Sequence, residues 1–170
     1  MITRVRLKMM AYEWLPPGRR HQPLWPGRLV EKIHLPNGLC LEIWDYSRKL
    51  AGDRWLVGML AQVAVEPEPE RFSSPETYQR FREMTEGFVY YRYRKERHFV
   101  DERERESLFQ SLKENFLRAA LNYLSHPEFR ERLLETEVPL FERRLQWEEE
   151  IRRRDEEAER LETLWKDRPI

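Results

Sequence analysis

The stretch LVEKIHLPNGLCLEIWDY, residues 29–46, decides how this chain folds. Leu29, Ile33 and Leu35 lead into Pro36-Asn37-Gly38, and Leu39, Leu41 and Ile43 lead out of it. A two-residue Asn-Gly turn would set Ile33 opposite Glu42 and Leu41 opposite His34, mixing the two faces. A three-residue loop instead pairs Leu35 with Leu39 and Ile33 with Leu41. Proline and asparagine suit the centre of a type I turn, and glycine then takes the left-handed conformation of a bulge. Register and turn chemistry agree, so the segment reads as an antiparallel hairpin.

Outward from the hairpin, residues 54–65 (RWLVGMLAQVAV) are almost continuously apolar, as a central strand covered on both faces would be. The linking stretch 45–55 (DYSRKLAGDRW) reads as a polar connection. Asp45 and Ser47 can cap a turn through their side-chain oxygens, and Gly52-Asp53 can reverse the chain. Ser47, Arg48, Lys49 and Arg54 are then the candidate contacts for an anion or other ligand. The Asp-x-Ser here is shared with the Asp/Asn-x-Ser-x-x-Gly of PilZ-type cyclic-dinucleotide domains. Leu50 stands at the glycine position and the upstream Arg-x-x-x-Arg is absent, so the chain is not assigned to that family.

Glu66 to Glu70 (EPEPE) break the sheet. Ser74-Pro75 reads as an N-cap and first-turn proline, with Gly87 ending the helix and Tyr78, Phe81 and Thr85 on its inner stripe. Residues 88–99 (FVYYRYRKERHF) read as the last strand. Tyr90, Arg92, Tyr93 and Arg94 are its candidate nucleic-acid contacts, because aromatic faces stack bases while arginines hold phosphates. Strict alternation would nevertheless send Tyr91 and Tyr93 to one face and Arg92 and Arg94 to the other.

Asp101 with Glu104 suggests a capping box for an amphipathic helix carrying Leu108, Leu112, Phe116, Ala119 and Tyr123. SHPE at 125–128 suggests a second start, with Phe129 and Leu133 in a short helix. From about Pro139 the chain is helical in character but barely apolar. Glu148–Arg152, Glu149–Arg153 and Glu150–Arg154 are spaced for helix-stabilising pairs. Trp147, Ile151, Ala158, Leu161 and Trp165 leave a thin seam near heptad spacing, interrupted by Arg144 and Arg154.

Toward the N-terminus, residues 2–11 alternate as a strand with a cationic face. Residues 13–28 hold four prolines and read as a long loop pinned by its tryptophans, so Trp14 and Trp25 join Trp147, Ile151, Leu161 and Trp165 as a candidate partner surface. The expected architecture is α+β. A mainly antiparallel sheet of about five strands, a β-meander, is covered by an amphipathic helix over residues 1–138. A charged C-terminal helix occupies 139–170.

Composition narrows the function. The 170 residues balance 31 Lys/Arg against 31 Asp/Glu, so the chain lacks the single-sign field of a dedicated nucleic-acid or membrane-surface binder. The charge is nevertheless skewed: residues 1–100 hold 17 basic and 12 acidic groups, and residues 101–170 hold 14 and 19. One cysteine, Cys40, rules out an internal disulfide. No apolar stretch suits a signal peptide or membrane span, so a cytoplasmic location is expected. The four histidines lack ligand spacing, and no serine or cysteine lies in a nucleophile motif. No cofactor or metal is expected, and catalysis is the least supported function. The expected role is a protein-interaction or self-association module, with an anionic ligand or single-stranded nucleic acid as the alternative.

Overall fold

The hairpin forms as its turn chemistry requires. In the computed structural model of the chain, which describes residues 27–166, β1 (Arg28–His34) pairs with β2 (Cys40–Asp45), placing Ile33 opposite Leu41 and His34 opposite Cys40. Leu35 N–H donates to Leu39 O at 2.8 Å and Gly38 N–H to Leu35 O at 3.0 Å, with Gly38 at φ 85°. Asn37 closes the turn by accepting from Leu39 N–H, and its amide donates to Leu124 O, at the end of a helix, at 2.8 Å and to His126 O just beyond it at 3.0 Å. The expected strand at 2–11 lies outside the described residues. So does the expected loop up to residue 26, including Trp14 and Trp25, and Arg28 already belongs to β1.

Residues 45–55 depart from the expected loop. Arg48–Ala51 form a strand, β3, that runs antiparallel to β4 (Arg54–Val65). The register that sets Asp45 opposite Met59 is kept where Arg48 meets Leu56, so β2 and β3 are one bent path beside β4. At the bend Tyr46 N–H donates to Gly58 O at 3.0 Å, and the Ser47 hydroxyl stands in for a carbonyl by accepting Gly58 N–H at 3.1 Å. Only Gly52-Asp53 turns, with Gly52 at φ 56°, the sign that the first central position of a type II′ hairpin requires.

β5 (Val89–Asp101) pairs along the other side of β4, completing an antiparallel meander of five strands with β4 at its centre. One face buries Leu41, Ile43, Val57, Met59, Ala61 and Val63 against the helices. α1 (Pro75–Thr85) starts as expected: the Ser74 hydroxyl accepts Thr77 N–H at 3.1 Å. α2 (Arg105–Leu124) crosses the sheet, but Asp101 does not cap it. Asp101 ends β5 and its carboxylate accepts from Arg103 N–H, so the expected capping box is not made. The buried stripe of α2 is Phe109, Leu112, Phe116, Ala120 and Leu124, offset from the expected one at both ends.

The largest difference lies at the C-terminus. Instead of a short helix followed by another from 139, α3 (Phe129–Lys166) is continuous and Pro139 lies inside it. Leu134 and Val138 before the proline and Phe141 and Leu145 after it are all buried in the core, and this packing on both sides carries the helix through Pro139. The boundary expected at 138/139 therefore falls in mid-helix, and the core contact ends near Leu145.

Candidate functional site

Alternation along the strands sorts the candidate residues before any chemistry does. On the sheet face opposite the helices, Tyr46, Leu56 and Leu60 form a small cluster with Trp44 and Leu50 that contains no helix residue. Glu42 is its polar hub. Gln62 Nε2 and Trp44 Nε1 both donate to Glu42 Oε2, at 3.0 and 3.1 Å, and Lys32 Nζ lies 3.0 Å from Oε1. Burial pushes the Glu42 carboxyl up, but the hydrogen bonds from Gln62, Lys32 and Trp44 outweigh it and hold the group below its usual range.

Tyr46 crosses this face above Gly58. Its hydroxyl donates to Glu96 Oε1 at 2.8 Å, and Glu96 sits opposite Gly58 in the β4–β5 ladder. A Cβ at residue 58 would meet the Tyr46 ring at 2.3 Å, so only glycine allows the crossing. Burial first, then the Glu96 carboxylate, push the Tyr46 phenol well above its usual value.

The Tyr/Arg strand is divided between the two faces. The Tyr93 ring stacks on Phe116 of α2 at 4.8 Å, beneath the helices. Tyr90, Arg92 and Arg94 belong to the opposite face: Arg92 lies 4.3 Å from the Tyr90 ring centroid and Arg94 lies 5.5 Å from that of Tyr46. Three of the four candidate residues therefore come together. Their cations already stack on the aromatic faces that a base would need.

The 45–55 candidates do not converge. The Ser47 hydroxyl is used in the sheet. Arg48 and Lys49 are adjacent on β3 and point to opposite faces. Arg54 lies at the hairpin end, 3.5 Å from Asp53 and 3.7 Å from Asp101. Nearby, a cleft of about 340 Å³ opens between the sheet and the first turns of α2, lined in part by Arg28, Asp45, Ser47, Trp55 and Arg105. Arg105 lies 4.3 Å from the Trp55 ring, and the Trp55 indole N–H is buried there without a partner. The sequence gives no sign of this cleft, because it depends on where α2 crosses the sheet. Among the described residues no three His, Cys, Asp or Glu side chains are placed to hold a metal ion.

The remaining candidates lie on α3 beyond Leu145. Trp147 is 63% exposed, Leu161 51% and Trp165 68%, and Ile151 is half-buried. Leu164, at 61%, extends the same apolar strip, and heptad counting alone passes over it. Arg80 of α1 reaches Glu149 at 3.0 Å. Of the expected helix pairs, Glu150–Arg154 forms, Arg152 lies instead 3.7 Å from Glu156, and Glu149 is taken by Arg80. No helix among the described residues is long and apolar enough to cross a membrane.

No protein-family model matches the chain, and neither a curated protein nor a solved structure matches it. The functional reading therefore rests on this geometry alone.

Proposed function

We propose that the chain is a non-catalytic interaction module that binds a helical partner through the distal half of α3, and that it acts in the cytoplasm. One observation carries the reading: Trp147, Leu161, Leu164 and Trp165 are all more than half exposed on a single helix that continues beyond the core. Isolated surface leucines are ordinary, but two tryptophans and two leucines on one strip are what an interface displays. The cytoplasmic reading draws on the single cysteine, which cannot form an internal disulfide and so gives secretion no support.

A second reading, a binder of an anionic ligand or single-stranded nucleic acid, draws on the shared face of Tyr90, Arg92 and Arg94. Such a ligand would have to displace the Arg–Tyr stacks already made there.

Capture from the source's lysate, with and without nuclease, separates the two. The comparison uses the wild-type chain, a Trp147→Glu/Leu161→Glu variant and an Arg92→Ala/Arg94→Ala variant. The expected result is a protein retained by the wild type and the arginine variant, insensitive to nuclease, and lost from the α3 variant. Equal capture by all three chains refutes the α3 reading, and loss with nuclease and with the arginine variant favours the second.

A further inference from the structure

The charges beside the α3 strip specify its partner. Trp147, Ile151, Arg154, Ala158, Leu161 and Trp165 alternate in steps of four and three residues, the spacing of the two core positions of a heptad. The flanking positions on one side are then Glu148, Asp155 and Glu162, and on the other Glu150, Glu157 and Leu164. All five charged flanks are acidic. The basic residues Arg152, Arg153 and Arg160 fall on the far side of the helix. An open depression of about 390 Å³ runs beside Ile151; four of its six lining residues, Glu148, Asp155, Glu156 and Glu159, are acidic, and Arg152 at its edge lies 3.7 Å from Glu156.

This pattern disfavours a second copy. In a parallel pair, one flank of each helix faces the other flank of its neighbour, and in an antiparallel pair like flanks face each other. Either arrangement of two α3 helices sets acidic flanks against acidic flanks, with Leu164 the one uncharged flank and Glu150 already tied to Arg154. Like charges placed in this way act against a pairing, and opposite charges select for it.

We infer that the distal half of α3 docks an amphipathic helix of another protein whose apolar seam is flanked by lysine or arginine. The inference rests on the interaction reading above and adds the chemistry of the partner. Trp147 and Trp165 supply the large apolar anchors at the two ends of the seam, and Ala158 leaves room between them for a bulky partner residue. Arg154, at a core position, is tied to the flanking Glu150 at 2.5 Å, so the partner must set a polar residue rather than an apolar one at that level, which fixes the register.

The test uses the full chain and two synthetic helices of about four heptads with leucine at the core positions, one with lysine and one with glutamate at every flank. Each probe repels its own kind and so stays monomeric. Fluorescence anisotropy of the labelled probes is expected to show the lysine probe binding about tenfold tighter than the glutamate probe, from several weak exposed charge pairs acting together. Raising the salt concentration should narrow the gap. A variant with Glu148, Glu150, Asp155, Glu157 and Glu162 each changed to Lys should reverse the preference, and Trp147→Glu/Leu161→Glu should abolish binding of both probes. Equal binding of the two probes, or no reversal by the charge-changed chain, overturns the partner chemistry and leaves the docking strip standing. Failure of both probes to bind the wild type overturns the docking strip as well. A wild-type dimer in sedimentation that Trp147→Glu/Leu161→Glu dissolves would show the seam to be a self-interface and overturn the inference in favour of a second copy.

Discussion

Replacing Gly58 by alanine should disable the outer face of the sheet by one methyl group. The added Cβ would lie 2.3 Å from Tyr46 Cε2, 2.6 Å from Cδ2 and 2.7 Å from Cζ. The collision is with the middle of a ring, which cannot swing aside while its hydroxyl stays on Glu96 at 2.8 Å. The ring must therefore leave. A lost hydrogen bond to a charged group costs about 1.5–3 kcal/mol. Overpacking or opening the Tyr46–Leu56–Leu60 cluster adds about 1–3 kcal/mol. Against this, alanine gains about 0.5–1 kcal/mol over glycine in a strand. The net expectation is a loss of roughly 1.5–5.5 kcal/mol. Urea unfolding followed by far-UV circular dichroism reads it as a lower midpoint at unchanged slope. The double-mutant cycle is sharper, because in a Tyr46→Ala background Gly58→Ala should be nearly neutral or slightly stabilising. A Gly58→Ala chain within about 0.5 kcal/mol of wild type would falsify the steric argument. So would an equal loss in both backgrounds.

The Tyr91 hydroxyl is buried without a partner, so Tyr91→Phe should stabilise the chain by about 1 kcal/mol at neutral pH, read as a higher urea midpoint. Burial raises the Tyr91 phenol to about 12, so the tyrosine's contribution is present below pH 10 and is lost as pH rises through about 12. The advantage of Tyr91→Phe should therefore widen across that window, and midpoints that stay parallel from pH 9 to pH 12 would count against it. Asn37→Asp removes the amide that donates to Leu124 O at the end of α2 and to His126 O beyond it, and places a carboxylate at a helix C-terminus, with an expected loss of about 1–3 kcal/mol in thermal unfolding. Ending the chain after residue 146 should leave the body folded with stability within about 1 kcal/mol. Ending it after 138 removes the buried Phe141 and Leu145 and should cost at least about 5 kcal/mol, taking the usual range for each side chain. Equal stability of the two truncations, measured by urea unfolding, would refute the assignment of Phe141 and Leu145 to the core.

The parts of this fold legible in the sequence are those where local chemistry and pattern agree. The Pro36-Asn37-Gly38 turn and the apolar run of β4 are of that kind, as is the Ser74 cap. Where two adjacent positions were both apolar, the pattern was ambiguous by one residue. Leu108 and Phe109, Ala119 and Ala120, and Tyr123 and Leu124 offer α2 two stripes at those points, and packing on the sheet chose the second residue of each pair. β3 was invisible because Arg48 and Lys49 show no alternation, and the strand depends on β4 and the Ser47 hydroxyl for its bonds. In β5, Phe99 sits at φ 57° in a bulge, an insertion that period-two counting cannot see. The candidate residues at 45–55 failed to converge for the reason that hid the strand: neighbours in an extended chain face opposite ways. Trp147, Ile151, Leu161 and Trp165 share α3 as their spacing implies, because a single helix carries all four and no tertiary placement intervenes.

The continuity of α3 has a mechanical consequence. The helix carries its one missing backbone donor, at Pro139, in the part braced by Val138, Phe141 and Leu145, and the 146–166 stretch beyond contains neither proline nor glycine. The protruding part, about 30 Å at the usual helical rise, is therefore a rod without a joint, clamped at its base. A load applied near Trp165 is not absorbed by bending at a hinge. It arrives as torque at Leu145 and at the Arg80–Glu149 tie, so whatever grips the tip also strains the clamp that fastens α3 to α1 and the sheet.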